Sequence, residues 1–272
     1  MVMRPVRRAI ATWLVVVSAA FASEQAPAPG LTKPEIEHFL KTAKIVASKG
    51  IPTGVTYPVR LTLSDGTLRH DAAFSDVNER RSVMRFEKGP PQLNFVDFYG
   101  YSIAAYRLAE LLGLDDMMPV TVERGWNGRR GALSWWLDVK MDEAQRMKEG
   151  SQPPDPEAWI RQMHRMRVFT QLVADTDRNL GNLLISADWK LWMIDFTRAF
   201  RRNKQLLAPG DVTRCDRQLL EKLKALTKEQ VAAATKPYIG GAEVDALMAR
   251  RDAIVALIGL QVAARGEGQV LY

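Results

Sequence analysis

The chain has little of what disulfide-bonded, zinc-binding and nucleic-acid-binding proteins require. Among its 272 residues Cys215 is the only cysteine, so no disulfide can form within the chain. A buried or weakly exposed thiol is favoured over pairing with another molecule. The three histidines, His38, His70 and His164, are too scattered to suggest a zinc site. Lysine and arginine form no block interleaved with aromatic residues, which argues against nucleic acid as a partner.

The chain also lacks an apolar run of the roughly 20 residues that a membrane-spanning helix needs. The apolar stretch 9–21 follows three arginines and ends in a small-x-small pattern at Ala22. This pattern predicts a signal peptide over residues 1–22 and an exported protein, periplasmic or secreted, with no stable membrane span; the alternative is an uncleaved anchor. Because the removed segment has three arginines and no acidic residue, the net charge falls from +7 to +4. Residues 23–31, rich in proline and alanine, are expected to be a tether.

The first part of the remaining chain has the periodicity of a strand-rich lobe. Asp65-Gly66 and Asn127-Gly128 predict tight hairpin turns between antiparallel strands. The polar segment between Ser75 and the following helix contains Gly89-Pro90-Pro91 and is predicted to be a loop. The predicted elements are a helix from Thr32 to near Gly50, strands over 57–63 and 68–77, a helix over 97–112, and strands over 118–124 and 130–138.

Helices are predicted to dominate the second part. The segment 148–156, rich in proline and glycine, is the clearest break between predicted secondary-structure elements in the middle of the chain. An amphipathic helix follows it. Everything from Asp211 onwards has helical periodicity, and Arg250-Arg251 is expected on a solvated face. We therefore predict an α+β fold of two lobes, a strand-rich N-terminal lobe over 32–140 and a mostly helical C-terminal lobe over 141–272.

The most informative stretch is 174–200, which reads ADTDRNLGNLLISADWKLWMIDFTRAF. Asp177 is followed five residues later by Asn182, and Asp195 opens Asp-Phe-Thr after an apolar run. Kinase-type sites need one carboxylate to orient a hydroxyl, then an Asn and a second Asp to hold magnesium against phosphates. The order and spacing fit that set. The alternative interpretation is that these carboxylates belong to ordinary loops beside a core strand.

The combination Asp-Arg-x-x-x-Asn followed by Ile-Asp-Phe resembles the atypical kinases. These include the phosphatidylinositol 3-/4-kinase catalytic domains, HipA-type kinases and secreted kinases of related fold, and around 174–200 the likeness is close to exported bacterial proteins of the phosphatidylinositol 3-/4-kinase-like group. The resemblance implies a two-lobed protein-kinase-like fold that uses ATP or another nucleotide together with Mg or Mn. Asn179 stands where the usual loop of this group has a histidine.

The same resemblance assigns expected roles within the stretch. Asp177 would be the base or hydroxyl-orienting carboxylate, and Arg178 a structural or phosphate-facing cation beside it. Asn182 and Asp195 would be the metal ligands, since magnesium prefers oxygen donors and needs few from the protein beside phosphates. Asp175 is a rival for the base, with a turn contact favoured for it. Arg198 could meet a phosphate or hold the Asp-Phe-Thr turn, and the structural role is favoured.

The nucleotide would be bound by the N-terminal lobe and the connection between the lobes. Ala73 lies in the strand that corresponds to V-A-I-K of kinases, and Gly54 could let backbone approach phosphates, although a simple turn explains that glycine equally well. Trp136 and Leu137 stand where kinases line the adenine slot. Strand alternation sends Trp135 and Trp136 to opposite faces, so at least one of them is expected in the core.

Two residues that activate phosphate in kinases are missing. Ser75 holds the lysine position, and Ser102 lies where the partner glutamate would be. Either the protein is a pseudokinase, or another cation, such as Lys88, Arg81 or Arg85, takes the place of the lysine. The sequence thus supports a phosphotransferase acting on an unknown protein, lipid or small-molecule hydroxyl, with a nucleotide- or partner-binding module as the alternative. A lysine or arginine in the cleft near Asp195 would favour the enzyme.

Overall fold

A computed structural model describes residues 30–51, 58–85 and 91–272. The N-terminal lobe contains two helices, α1 (Lys33–Thr42) and α2 (Tyr99–Leu112), and seven strands. The strands are β1 (Lys44–Gly50), β2 (Val59–Ser64), β3 (Arg69–Ser75), β4 (Asn78–Met84), β5 (Gln92–Phe98), β6 (Thr121–Trp126) and β7 (Arg129–Trp135). Five of them form an antiparallel sheet in the order β1-β2-β3-β7-β6, while β4 and β5 pair separately as a hairpin.

Both hairpins predicted from the sequence are present, and turn chemistry explains each of them. Between β2 and β3, one carboxylate oxygen of Asp65 accepts hydrogen bonds from the backbone N–H groups of Thr67 and Leu68. Between β6 and β7, Asn127 and Gly128 have φ of 48° and 74°. A two-residue turn with positive φ at both positions matches the twist of the strands that it joins.

The predicted first helix is too long, because α1 ends at Thr42 and β1 follows it. Ala43 already has extended backbone, with φ −60° and ψ 144°. The guanidinium of Arg124 on β6 donates to the carbonyl oxygens of Leu40 and Ala43. These bonds supply donors to carbonyl oxygens at the C-terminal end of α1 that have no partner within the helix. The β-branched Ile45 and Val46 then favour the strand that pairs with β2.

The prediction of a loop after Ser75 is wrong over 78–84 and 92–98, which form the antiparallel pair β4 and β5; residues 86–90 lie outside the described residues. The exposed side chains of this pair are mostly polar and hide the strand periodicity, although Val83 and Leu93 are also exposed, whereas Phe95 and Asp97 are buried. The second helix accordingly begins at Tyr99 rather than at Asp97. The backbone N–H of Phe98 donates to the carbonyl oxygen of Thr197 (2.9 Å), so the hairpin meets the Asp-Phe-Thr segment.

The C-terminal lobe is mostly helical, as expected, and carries one small sheet. Its three strands lie in the order β10-β9-β8, and two of them, β9 and β10, belong to the stretch 174–200. Its elements are β8 (Met141–Asp142), α3 (Glu143–Glu149), α4 (Pro156–Val173), β9 (Leu183–Ile185), β10 (Leu191–Met193), α5 (Arg217–Ala225), α6 (Lys228–Thr235), α7 (Gly241–Arg265) and α8 (Glu267–Val270). In the part of the chain that the structure describes, no helix is long and apolar enough to cross a bilayer.

One apolar core runs through both lobes. It joins the inner face of the large sheet, α2 and the inward faces of α4, α5 and α7. Cys215 is part of it, as expected for a buried thiol, and burial raises the pKa of this thiol to about 12. A thiol with that pKa stays protonated near neutral pH.

Arg250 was expected on a solvated face of α7, but its exposed fraction is 0%. Its guanidinium donates to the carbonyl oxygens of Leu172 (2.8 Å), Arg201 (2.8 Å) and Asn203. Leu172 precedes the stretch 174–200 and the other two residues follow it, so one buried side chain joins its two flanks to α7. Burial lowers the pKa of Arg250 to about 10, which still leaves the guanidinium charged at neutral pH.

We expect Arg250→Met to lower the free energy of unfolding by about 2–4 kcal/mol, because buried carbonyl oxygens would lose their donor while a buried charge is removed. Urea denaturation measures this change. Arg161→Met, which removes an exposed arginine paired with Glu157 on α4, should change stability by less than about 1 kcal/mol. Equal stability of Arg250→Met and the wild type would contradict the structural role assigned to Arg250.

Candidate functional site

The loop that carries Asp177 begins where α4 ends. Ala174 has φ of 48°, which turns the chain sharply out of the helix, and the backbone N–H of Phe200 donates to the carbonyl oxygen of Val173 (2.6 Å). The two ends of the stretch 174–200 are therefore hydrogen-bonded to each other. Asp175 is buried directly after this turn and accepts a hydrogen bond from the backbone N–H of Asp177 (3.0 Å).

Arg178 fills the inside of the loop. Its side chain is 6% exposed, and its guanidinium forms an ion pair with Asp175 (2.6 Å). It also donates to the carbonyl oxygens of Asn182 (3.0 Å) and Ile194 (2.7 Å) and lies 4.2 Å from the centre of the Phe196 ring. Of the two roles left open for Arg178, this geometry corresponds to the structural one. Asp175, the rival for the base, is likewise engaged in turn contacts.

Asn182 and Asp195 lie at the two ends of the β9–β10 hairpin. The backbone N–H of Ile194 donates to the carbonyl oxygen of Asn182 (3.1 Å), which brings the two strand ends together. The side-chain NH2 group of Asn182 donates to the carbonyl oxygen of Asp177 (3.1 Å). Because this bond uses the NH2 group, the amide oxygen of Asn182 is the atom available for a metal. The structure thus brings Asp177, Asn182 and Asp195 together.

Asp195 is held in an unusual backbone conformation. Its φ of 56° lies in the left-handed region, which is unfavourable for a residue with a Cβ atom, and its side chain is exposed. The hydroxyl of Thr197 donates to one of its carboxylate oxygens (2.9 Å), and Arg178 contacts its carbonyl oxygen at 3.4 Å. Strained backbone of this kind persists only where surrounding contacts fix it.

The oxygen donors fit a hard divalent cation. An amide oxygen and a carboxylate are suitable ligands for magnesium or manganese when phosphates and water complete the coordination. Within residues 30–51, 58–85 and 91–272, no three His, Cys, Asp or Glu side chains are arranged as a metal site of their own. Among the described residues, one oxygen of the buried Asp97 has no hydrogen-bond partner, and the negative charge of Asp195 helps to raise the pKa of Asp97.

Arg198 is the cation that reaches the site. Its guanidinium contacts Asp97 through Nε (3.3 Å) and Asp177 through Nη1 (3.2 Å). Burial raises the pKa of Asp177, with the negative charges of Asp195 and Asp175 adding to the increase and Arg198 opposing it. Burial likewise raises the pKa of Asp97, and Thr197 and Arg198 oppose that increase.

Asp97 is the site residue that sequence reasoning missed. The polar surroundings suggested a helix start, although Phe95 and Asp97 share the inward face of β5. Two inward positions two residues apart, one aromatic and one acidic, are the signal that could have identified a buried carboxylate. Arg81, Arg85 and Lys88 are the cations that the sequence offers in place of the lysine. Arg81 pairs with Glu79 on the exposed side of β4, Arg85 is exposed just after β4, and Lys88 lies outside the described residues.

Of the residues expected to bind a nucleotide, Ala73 and Trp136 lie near Arg60 on one face of the large sheet. Ala73 on β3 is paired with Arg60 on β2, whose guanidinium lies 4.2 Å from the centre of the Trp136 ring. Trp135 instead stacks on His70 toward the core, so the two tryptophans do lie on opposite faces. Leu137 is half-buried in the connection between the lobes, and Gly54 lies outside the described residues.

Contacts do not extend from this face to the acidic site. Among the described residues, Ala73, Trp136 and Leu137 form no hydrogen bond, ion pair or ring contact with Asp177 or Asp195. They occupy the sheet face and the connector, while the carboxylates lie on the C-terminal lobe. The geometry therefore presents two groups of candidate residues on different lobes.

The two serines at the lysine and glutamate positions have different surroundings. Ser75 ends β3 opposite Ala132, where a Cβ atom on the neighbouring Gly131 would lie 2.5 Å from the Ser75 carbonyl oxygen. Ser102 on α2 accepts a hydrogen bond from the backbone N–H of Phe196 (3.2 Å). The hydroxyl of Ser102 therefore attaches α2 to the Asp-Phe-Thr turn, at the place where a glutamate would have reached into the cleft.

Comparison with known proteins gives no family from sequence. No protein-family model matches the chain, and no curated protein matches it. Solved structures do match its fold. A structure of hydra Fam20 with sugar has a TM-score of 0.64 and 14% identity, covering 88% of this chain and 92% of that one.

Two further structures extend the comparison. The Golgi casein kinase with Mn/ADP bound has a TM-score of 0.60 and 13% identity, covering 88% of this chain and 78% of the other. The Helicobacter pylori proinflammatory kinase CtkA has a TM-score of 0.50 and 10% identity, covering 83% and 96%. These similarities establish a two-lobed protein-kinase-like fold, so the fold class predicted from the sequence is confirmed.

We expect Asp175→Ala and Arg178→Met each to lower the free energy of unfolding by about 3–5 kcal/mol, since each leaves a buried charge without its partner. The double variant should lose clearly less than the sum, because the second change removes the charge left by the first. Urea denaturation of all four proteins measures the coupling.

The exposed pair Glu221–Lys224 on α5 is the matched control. Its two single variants and its double variant should give coupling below about 1 kcal/mol. Additive losses at Asp175 and Arg178 would show that the buried contact does not hold the loop.

Proposed function

We propose that this protein is an exported kinase-like phosphotransferase, which transfers a phosphoryl group from a nucleotide to a hydroxyl of an unknown substrate. The observation that carries the proposal is the arrangement of Asp177, Asn182 and Asp195 around the buried guanidinium of Arg178. The order of these residues and the two-lobed fold suit phosphoryl transfer, in which the protein chiefly positions groups and balances charge.

Asp177 is the residue proposed to contact the substrate hydroxyl. Its side chain is partly exposed, and its backbone is fixed by hydrogen bonds to Asp175 and Asn182. Burial raises the pKa of Asp177, and a carboxylate with a raised pKa is a better proton acceptor than an ordinary aspartate. Asp177 would orient the hydroxyl and take its proton, and Arg178 would act as a positioning residue.

Asn182 and Asp195 are proposed to hold magnesium or manganese. When bound, such a metal neutralises phosphate charge and aligns the transferred group with the hydroxyl. The hydroxyl of Thr197 holds one carboxylate oxygen of Asp195, and the bond from Asn182 to Asp177 fixes the amide group of Asn182. The Mn/ADP in one structural neighbour supports a nucleotide and a divalent metal as the cofactors to test first.

The nucleotide base is proposed to lie against the sheet face of the N-terminal lobe. Ala73 offers a small side chain beside Arg60, and Trp136 and Leu137 lie in the connection between the lobes. A role for Gly54 rests on sequence alone. We keep the lobe boundary at residue 140, where the connection enters the small sheet through a hydrogen bond from Lys140 N–H to the carbonyl oxygen of Ile185 (2.8 Å).

The assignment to an exported bacterial branch of the phosphatidylinositol-kinase-like or HipA-like group is also part of this proposal. It rests on the motif in 174–200 and on the pattern of residues 1–22. Export predicts a processed amino terminus at Ser23. N-terminal sequencing of the protein recovered outside the cytoplasm tests this, and an intact Met1 would overturn it.

A binding module without turnover is the second candidate. Ser75 and Ser102 favour it, because both members of the usual activating ion pair are absent and Ser102 is engaged with backbone. ATP is scarce outside the cytoplasm, which also favours a binding module over an active phosphotransferase for an exported protein. Such a protein would retain nucleotide or metal binding and act through a partner.

Phosphoryl transfer is tested by incubating purified protein with Mg or Mn and a panel of labelled nucleotides. We expect self-labelling or phosphate release that disappears in Asp195→Ala and falls about 100-fold or more in Asp177→Ala. Asp188→Ala is the matched control, since Asp188 belongs to the same stretch but lies in the turn between β9 and β10. It should keep the wild-type rate.

The outcomes separate the two candidates. Labelling that persists in both Asp195→Ala and Asp177→Ala would overturn the assignment of the site. A thermal shift with nucleotide and metal in the absence of labelling would favour the binding module. If the protein shows no labelling and no thermal shift with any nucleotide, both candidate functions are excluded.

A further inference from the structure

Arg198 contacts carboxylates from two separate segments, Asp97 on β5 and Asp177 on the loop after α4. We propose that Arg198, anchored on Asp97, is the phosphate-binding cation of this protein, and that the Asp97–Arg198 ion pair replaces the pair absent at Ser75 and Ser102. The proposal rests on the function proposed above and names a further residue of the same site. Three observations lead to it.

The first observation is the burial of Asp97. Its side chain is 4% exposed, and one of its oxygens lacks a hydrogen-bond partner in the part of the chain that is described. A buried carboxylate is costly unless a cation balances it, and the Nε of Arg198 is 3.3 Å away. Asp97 is the second-last residue of β5, just before α2, so the acidic member of the pair comes from the N-terminal lobe, as a helix glutamate would.

The second observation is the difference between the two carboxylates that Arg198 contacts. Asp177 is 39% exposed, whereas Asp97 is almost fully enclosed. Solvent weakens the contact with Asp177 far more than the contact with Asp97. An incoming phosphate can therefore take over Nη1 of Arg198 while Nε stays on Asp97. This exchange would leave Asp177 free to meet a hydroxyl.

The third observation is the engagement of the neighbouring arginines. Arg178 is buried, with its guanidinium directed at Asp175 and backbone carbonyl oxygens, so a phosphate cannot approach it. Arg60 pairs with Asp71 and lies on Trp136 at the sheet face. Arg198 lies between Asp177 and Asp97, beside Asp195, where the transferred phosphate would be. A guanidinium suits this place because it can donate to two acceptors at once.

Calorimetric titration with inorganic pyrophosphate tests the proposal without dependence on the base or on turnover. In EDTA, and again with Mg, the wild type should bind pyrophosphate and Arg198→Met should bind it about 10- to 100-fold more weakly. Arg198→Lys keeps the charge and should lose less affinity for pyrophosphate than Arg198→Met. Asp97→Asn should lose an intermediate amount of affinity, because the cation remains but its anchor is weakened. Arg202→Met, which removes a surface arginine that is 69% exposed, should bind as the wild type does.

The proposal is overturned if a folded Arg198→Met binds pyrophosphate with wild-type affinity, if the wild type does not bind it, or if only Arg60→Met weakens binding. Thermal denaturation checks folding, and Arg198→Lys with Asp97→Asn provide the test if Arg198→Met does not fold. Labelling that needs Asp195 but not Arg198 would overturn this inference and leave the proposed phosphotransferase standing. Binding of pyrophosphate that needs Arg198, without labelling by any nucleotide, would support the inference and favour the binding module.

Discussion

The candidate site depends on the contacts of the buried Arg178 guanidinium. The guanidinium contacts a carboxylate, backbone carbonyl oxygens from both ends of the β9–β10 hairpin and the face of the Phe196 ring. A neutral side chain of similar size could fill the space, but it could not offer several donors to oxygens from separate segments. The relative positions of Asp177, Asn182 and Asp195 follow from this one group.

Backbone strain within the same stretch has to be offset by such contacts. Ala174, Trp189, Asp195 and Phe200 all have positive φ without being glycine, and each conformation costs about 1–3 kcal/mol. Ala174 lies at the start of the loop, Asp195 is the candidate metal ligand, and Phe200 ends the stretch 174–200. Arg178 fixes the interior, while Arg250 joins both flanks to α7. Two buried arginines from distant parts of the chain thus make one sharply bent segment rigid.

The difference between local contacts and contacts from distant parts of the chain explains what could be predicted from the sequence. The hairpins at Asp65-Gly66 and Asn127-Gly128 depend on local turn chemistry, and the order of acidic residues in 174–200 depends on a short motif, so both can be read locally. The burial of Arg250 depends on carbonyl oxygens about 50 and 80 residues away along the chain, which no local pattern reveals. The β4–β5 pair was missed because most of its exposed side chains are polar and its hydrophobic Val83 and Leu93 are exposed too, so hydrophobic and polar residues do not alternate between a buried and an exposed face. Missing that strand also concealed Asp97.

An ion pair formed by Asp97 and Arg198 would also change how such a site can be controlled. In protein kinases the lysine and the helix glutamate come together only when the helix is correctly placed, so movement of that helix can switch activity. Here the helix supplies Ser102, whose hydroxyl is bonded to Phe196, and the strand before it is bonded to Thr197. Arg198 belongs to the same segment as these two backbone groups. A movement of α2 would therefore break contacts that hold the Asp-Phe-Thr turn itself, and the free energy lost would oppose the movement. The contacts of Ser102, Phe98 and Arg198 therefore favour a site whose residues are already in place without a ligand.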